Sequence, residues 1–300
     1  MPSHPTPRID PRTLLLAFVA GALLLVSCSP APGDAPLRVT AAETFLADIA
    51  QNVAGSRLQV TSLLAPGVDP HEFQPAPQDA IRIARSRVLI VNGMGYETWL
   101  QKSLQDAGGA PLLVTASQGL PPAPDGDPHL WMDPANAIRY VENIRDGLSR
   151  ADPAGKDVYA ANAAAYIARL KALDASIRSQ VAQVPPERRL LVTNHDDLGW
   201  FARAYGFQVV GAVVPAITNE ASPSARQMAA LIDAVKRTGA PAIFVDASEN
   251  PNLAAQVASG TGAQVVTGLY VESLSAPGGP AATYIDMLQH DAALIVQALK

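Results

Sequence analysis

Apolar residues along most of this chain fall into short runs separated by helical patterns. The runs LRVTA and LQVTSLL flank a helical pattern over residues 43–53, and a second helical pattern over 77–86 leads into the run RVLIVNG. The same order returns after residue 186, where RRLLVTNH, FQVVGAVV, PAIFVDA and AQVVTGLYV alternate with helical patterns. Such alternation is typical of parallel sheets covered by helices, with functional residues in loops at strand carboxyl ends. The sequence therefore predicts an α/β protein with two parallel-sheet lobes.

One long amphipathic helix is predicted between the two lobes. Apolar or aromatic residues recur there at steps of three and four, which places them on one helix face. They are Tyr159, Ala163, Tyr166, Leu170, Leu173, Ile177 and Val181. Asp152 fits the N-cap of this helix and Pro153 its first position. At roughly 1.5 Å per residue the helix would be about 43 Å long, enough to join the lobes. We expect an N-terminal lobe at 37–152, a linking helix at 153–182 and a C-terminal lobe at 183–300.

The first 36 residues have the composition of a targeting segment. Arg8 and Arg12 precede an apolar run over 14–26, and a helix of that length, about 20 Å, is shorter than the ~30 Å hydrocarbon core of a membrane. We therefore predict a signal peptide over 1–27. Cys28 is the single cysteine. The sequence LVSC, which ends in Cys28, resembles a bacterial lipobox, in which the cysteine is acylated. The alternative is an ordinary unmodified cysteine. The proline-rich segment 28–36 would then be a lipidated tether.

Charge and cysteine content exclude several classes of protein. The formal net charge is −5, and removal of residues 1–27 takes away two arginines and one aspartate, which gives −6. An acidic chain without basic runs lacks the electrostatic footprint of a nucleic-acid-binding protein. With Cys28 acylated, no thiol remains for a disulfide or for a thiolate metal site. We expect a monomer located outside the cytoplasm and anchored to the membrane by lipid.

Three of the five histidines and one glutamate lie in separate loop-like motifs. These are His71 in VDPHEFQP, His129 in DPHLWMDP, His195 in TNHDDLGWF and Glu272 in LYVESLSAPGG. Successive members are 58, 66 and 77 residues apart, too far for a local zinc motif, so the whole fold would have to bring them together. Imidazole nitrogens with a carboxylate oxygen suit zinc or a similar divalent ion. The four residues, called the ligand set below, predict a metal site.

Carboxylates that could accept the second N–H of a ligating imidazole are also present. The candidates are Glu72, Asp133, Asp196 and Asp246. Ligating histidines usually donate that N–H to a carboxylate or carbonyl group. A helix cap or an exposed surface position is the alternative interpretation for each candidate.

The motifs resemble, in the same order, those of the bacterial zinc- and manganese-binding solute-binding lipoproteins of metal ABC importers, the cluster A-I family. The resemblance runs from Leu37 to the C-terminus and rests on VDPHEFQPAPQD, HLWMDPANA, HDDLGWFARAYG, NEASPSARQ and LYVESLSAPGGPAATYIDML. It implies two α/β lobes joined by one long helix, and the ligand set as four metal ligands, two from each lobe. It also implies a receptor that delivers its ion to a membrane permease and is not an enzyme.

Two positions bear on the choice of metal. Many members of the family have Asp where Glu272 stands, and manganese-binding members usually have Glu where His195 stands. A third imidazole favours zinc over manganese, which prefers harder oxygen ligands, but residues 117–127 lack the histidine-rich segment of many zinc receptors. We therefore expect zinc, with manganese as the alternative. A zinc-dependent hydrolase is a more distant alternative, with Glu72 as its candidate base.

Two physical expectations follow for the metal site. Imidazoles with an ordinary pKa near 6.5 must be neutral to bind metal, so affinity is expected to fall below about pH 6. The segment after Glu272 is rich in glycine and proline, so we expect the metal bond to be the main contact holding residues 272–282.

Overall fold

A computed structural model describes Met1 and residues 37–214 and 223–300. The predicted signal peptide, Cys28 and the tether lie outside the described residues. Among the described residues, none of the helices combines the length and the apolar character needed to cross a membrane.

The N-terminal lobe is a four-stranded parallel sheet covered by helices. Its strands are Val39–Ala41 (β1), Val60–Ser62 (β2), Val88–Val91 (β3) and Leu112–Thr115 (β4), in the order β2-β1-β3-β4. Its helices are Thr44–Ala54 (α1), Pro77–Arg85 (α2), Leu100–Ala107 (α3) and Pro134–Ala151 (α4). Every residue of β3 is buried, as expected for a strand covered on both faces.

The linking helix, Lys156–Val181 (α5), has 26 residues and follows a 3-10 turn at Pro153–Gly155. Its buried residues are the seven that the spacing predicts. Asp152 lies at the predicted N-cap position, but its side chain makes no capping hydrogen bond. Its carboxylate instead accepts hydrogen bonds from Arg57 and from the hydroxyl of Tyr159.

The C-terminal lobe repeats the arrangement of the first. Its strands are Leu190–His195 (β5), Gln208–Val214 (β6), Ala242–Asp246 (β7) and Gln264–Leu269 (β8), all parallel in the order β6-β5-β7-β8. Its helices are Gly199–Tyr205 (α6), Ala225–Thr238 (α7) and Asn252–Thr261 (α8), and the chain ends with Tyr284–Leu299 (α9). The predicted α/β architecture of two parallel-sheet lobes joined by a long helix is confirmed. The three residue boundaries given for the lobes and the linking helix stay predictions.

One hydrophobic core runs through both lobes. It joins α1 and α4 of the first lobe to α5, α6 and α9. Phe45 stacks on Trp131 with ring centroids 4.3 Å apart, and the backbone N–H of Tyr284, at the start of α9, donates to Asp48 of α1 at 3.0 Å. Because apolar burial contributes about 25 cal/mol per Å², this shared core opposes separation of the lobes.

Candidate metal centre

The fold brings the ligand set to one place. His71 lies in the loop between β2 and α2, and His129 immediately precedes the 3-10 turn Leu130–Met132 that leads into α4. His195 is the last residue of β5, and Glu272 follows β8. In parallel sheets the carboxyl ends of the strands lie at one edge. The two sheets therefore present their loops to the same cleft.

The distances within the ligand set suit a single ion. One nitrogen from each histidine and one carboxylate oxygen all lie within 4.8 Å of one another. Nε2 of His129 is 3.4 Å from Nε2 of His71 and 3.1 Å from Oε1 of Glu272. Nε2 of His71 is 3.8 Å from the same oxygen. Two ligand atoms bound to one zinc ion, each at about 2 Å, are separated by distances of this order.

The ligand set is buried, and several of its nitrogens have no protein partner. Exposure is 0% for His129, 1% for His195, 2% for Glu272 and 8% for His71. Among the described residues, no group forms a hydrogen bond with either ring nitrogen of His195 or with Nδ1 of His71. A buried polar atom without a partner costs free energy, and a bound cation would use these lone pairs. The residues present therefore fit a metal ion.

Asp127 holds His129 in place, a role that the sequence did not assign to it. Its Oδ1 lies 2.9 Å from Nδ1 of His129 and accepts the backbone N–H of His129 at 2.9 Å. Its Oδ2 accepts from Arg203 of α6 at 3.0 Å. This contact with Nδ1 leaves Nε2 of His129 directed at Glu272. A second Asp-Pro-His triplet shows the same local turn, because Asp69 accepts the backbone N–H of His71 at 2.8 Å.

Tyr96 is a second residue that the sequence did not single out. It follows β3, is 1% exposed, and its hydroxyl donates a hydrogen bond to Oε2 of Glu272. Its ring packs edge-on against His71 at 5.0 Å and near His129 at 5.8 Å between centroids. Tyr96 therefore contacts three members of the ligand set.

The four predicted supporting carboxylates have different surroundings. Asp246 accepts the backbone N–H groups of Val271 at 2.5 Å and Glu272 at 3.4 Å, so it supports the loop that holds Glu272. Asp133 caps α4 by accepting from the backbone N–H of Ala135. Glu72 is exposed and Asp196 half-buried. The structure shows neither of these two carboxylates hydrogen-bonded to the ligand set, and their supporting role stays a prediction.

Burial and charge move the pKa values of the histidines in opposite directions. Burial lowers the pKa of His195 to about 4 and lowers that of His71. Burial alone would also lower the pKa of His129, but the Glu272 charge and the hydrogen bond with Asp127 raise it well above its usual range. An arriving ion must displace the proton from a histidine whose pKa is raised. Affinity is therefore expected to fall on acidification, with an onset at a higher pH than ordinary imidazoles give.

Distant residues make hydrogen bonds with the backbone of the Glu272 loop. Its residues 271–275 are buried, and only 276–280 are exposed. The Trp131 indole donates to the carbonyl of Val271 at 3.0 Å, and the backbone N–H of Leu274 donates to the hydroxyl of Thr44 at 2.9 Å. These contacts differ from the expectation of a loop held mainly by its carboxylate–metal bond. The turn chemistry at 276–280 was visible in the sequence, but the contacts made by distant residues were not.

Two lobes of parallel sheet, one connecting helix and a buried cluster of side chains that could hold a metal ion are the features of two-lobed metal receptors. Residues 39–298 match the family described as zinc-uptake complex component A, periplasmic, and the chain belongs to this family. It is a substrate-binding component of a metal ABC importer and not an enzyme.

Individual relatives agree with this assignment. The chain is 34% identical to manganese-binding lipoprotein MntA of Halalkalibacterium halodurans over 88% of each chain. It is 35% identical to iron-binding protein YfeA of Yersinia pestis, over 88% of this chain and 86% of that protein. The periplasmic zinc-binding protein TroA of Treponema pallidum superposes with a TM-score of 0.83 at 27% identity, covering 88% of this chain and 99% of TroA. Relatives of one fold are thus named for three different metals.

Proposed function

We propose that this protein is an extracytoplasmic zinc receptor that delivers its ion to the membrane permease of an ABC importer. The observation that supports zinc is the ligand set itself, three imidazole nitrogens and one carboxylate oxygen within 4.8 Å. Four such donors match the tetrahedral coordination typical of protein-bound zinc. The ligand set, including the role of each residue as a direct ligand, is part of this proposal.

Manganese is the alternative cargo, and the name of the relative MntA favours it. Manganese prefers carboxylate, carbonyl and water oxygens, whereas this site offers nitrogen from three of its four residues. We therefore place zinc first.

Elemental analysis and metal competition test the choice. Full-length protein is purified in detergent without added metal, analysed for metal content, then stripped with a chelator and titrated with zinc and manganese separately and together. We expect one zinc ion per chain and displacement of manganese by zinc. A stoichiometry of zero would refute the site, and displacement of zinc by manganese would refute the cargo.

The membrane anchor belongs to the same proposal. Cys28 would be acylated after removal of residues 1–27, so that the receptor works as a lipid-anchored monomer beside its permease. The relative MntA is named a lipoprotein. We expect Cys28→Ala protein to leave the membrane fraction and Ser27→Ala protein to remain there. A Cys28→Ala variant that stays membrane-bound after a salt wash would contradict acylation.

A further inference from the structure

The two carboxylate oxygens of Glu272 have different partners. Oε2 accepts a hydrogen bond from the hydroxyl of Tyr96. Oε1 faces the histidines, 3.1 Å from Nε2 of His129 and 3.8 Å from Nε2 of His71. Only Oε1 is thus directed at the centre of the ligand set.

The Tyr96 hydroxyl is fixed by its surroundings. Its ring lies 4.8 Å from that of Trp131, between centroids. The preceding turn has positive φ at three successive residues, 88° at Gly93, 55° at Met94 and 79° at Gly95. Such angles are unusual for a residue with a side chain such as Met94. The turn is closed by Glu97, whose carboxylate accepts the backbone N–H groups of Asn92 and Gly93. The hydroxyl therefore has little freedom to leave Glu272.

We propose that Tyr96 sets the metal preference of the site by reserving Oε2 of Glu272, so that this carboxylate binds the ion through one oxygen. One oxygen and three imidazole nitrogens make four donors, which suits zinc. Binding through both oxygens would add a fifth, harder donor and so favour manganese. This inference rests on the proposed metal-receptor function and assigns a determinant of its selectivity.

The decisive variant is Tyr96→Phe, which removes the hydroxyl and keeps the ring. Tyr159→Phe is a matched control, because Tyr159 is also buried and its hydroxyl also donates to a carboxylate, that of Asp152. Full-length wild-type and variant proteins are stripped of metal, and zinc and manganese dissociation constants are measured for each. Loss of a hydrogen bond to a ligand typically changes metal affinity about 10–100-fold. We expect the preference for zinc over manganese to fall about tenfold in Tyr96→Phe protein and to stay unchanged in Tyr159→Phe protein.

Cobalt(II) provides a readout that a purely structural role of Tyr96 would not change. Four-coordinate cobalt absorbs visible light more strongly than five-coordinate cobalt. We expect the cobalt form of Tyr96→Phe protein to absorb more weakly than the wild-type and Tyr159→Phe forms. Thermal unfolding of the metal-free proteins shows whether each variant is folded.

The outcomes separate this inference from the proposed function. A wild-type protein that prefers manganese would refute the zinc assignment. The role of Tyr96 would still be tested by how far Tyr96→Phe changes the metal preference and the cobalt spectrum relative to wild type. An unchanged metal preference in Tyr96→Phe protein, including an equal loss of affinity for both metals, would overturn the inference. So would a cobalt spectrum identical to that of the wild type.

Discussion

Protein with His129→Ala is expected to lose more than about 100-fold in zinc affinity, beyond the 10–100-fold typical for loss of a supporting residue. Nε2 of His129 lies 3.4 Å from Nε2 of His71 and 3.1 Å from Oε1 of Glu272. Its removal takes away one of four donors and leaves the buried carboxylate of Glu272 without its nearest nitrogen. Competition titration against a chelator at constant pH measures the loss.

Two aspartate variants test how His129 is held. Asp127→Asn keeps the size of the side chain but removes the charge beside Nδ1 of His129, so zinc affinity should fall by about 10–100-fold. Asp125→Asn is the control, because Asp125 also pairs with Arg203, at 3.2 Å, and is exposed. If His129→Ala and wild-type protein bound zinc with equal affinity, His129 would not be a ligand. Equal losses in the two aspartate variants would assign the effect to Arg203 instead.

Protein with Glu43→Gln is expected to keep its stability better than wild type as the pH rises. Glu43 stands at the start of α1 and is 1% exposed, and neither carboxylate oxygen forms a hydrogen bond with the described residues. Burial, followed by the charge of Glu97, raises the pKa of Glu43 well above its usual range. Burial likewise raises the pKa of Glu97 to about 7. The folded protein therefore holds protons that the unfolded chain releases.

The sign of the effect follows from proton linkage. A carboxyl group whose pKa is raised on folding contributes its full stability below about pH 4.5, the unfolded value, and loses it as the pH rises through the folded value. As the pH rises through this window, the free energy of unfolding of wild-type protein should therefore fall relative to that of Glu43→Gln protein. The difference should grow by up to about 1.4 kcal/mol per pH unit. Urea unfolding of metal-free protein between pH 5 and pH 8 gives the free energy of unfolding against pH for wild type and for Glu43→Gln protein. Glu187→Gln is the control, because Glu187 is exposed. Parallel curves for Glu43→Gln and wild type would show that Glu43 does not hold a proton.

The sequence predicted the lobes and the linking helix because their signals are local. Seven apolar residues at helical spacing suffice to define the buried face of α5, and strand-length apolar runs define the sheets. The ligand set was predicted from its residue types, three imidazoles and one carboxylate, and the resemblance to a family supported it, since spacings of 58 to 77 residues carry no geometric information. Its spatial grouping could be seen only in the folded chain.

The supporting groups were harder to find for a physical reason. Tyr96 and Glu272 are 176 residues apart, and no pattern in either segment indicates the other. Asp127 was accessible in principle, because an Asp two residues before a His often accepts its backbone N–H, and the triplet occurs twice. Among the predicted supporting carboxylates, Glu72 is exposed and Asp133 caps α4, and their sequence neighbourhoods alone do not distinguish these positions from contacts with a ligating imidazole.

The hydrogen bonds that hold the Glu272 loop also make the path of its backbone independent of the side chain at position 272. Asp246, Trp131 and Thr44 bind backbone atoms of residues 271, 272 and 274, so the path of the loop does not depend on the side chain at position 272. Glutamate and aspartate codons differ by one nucleotide, and an exchange between them would alter the reach of the donor while the loop persists. A backbone path fixed in this way is compatible with relatives of a single fold that are named for manganese, iron and zinc.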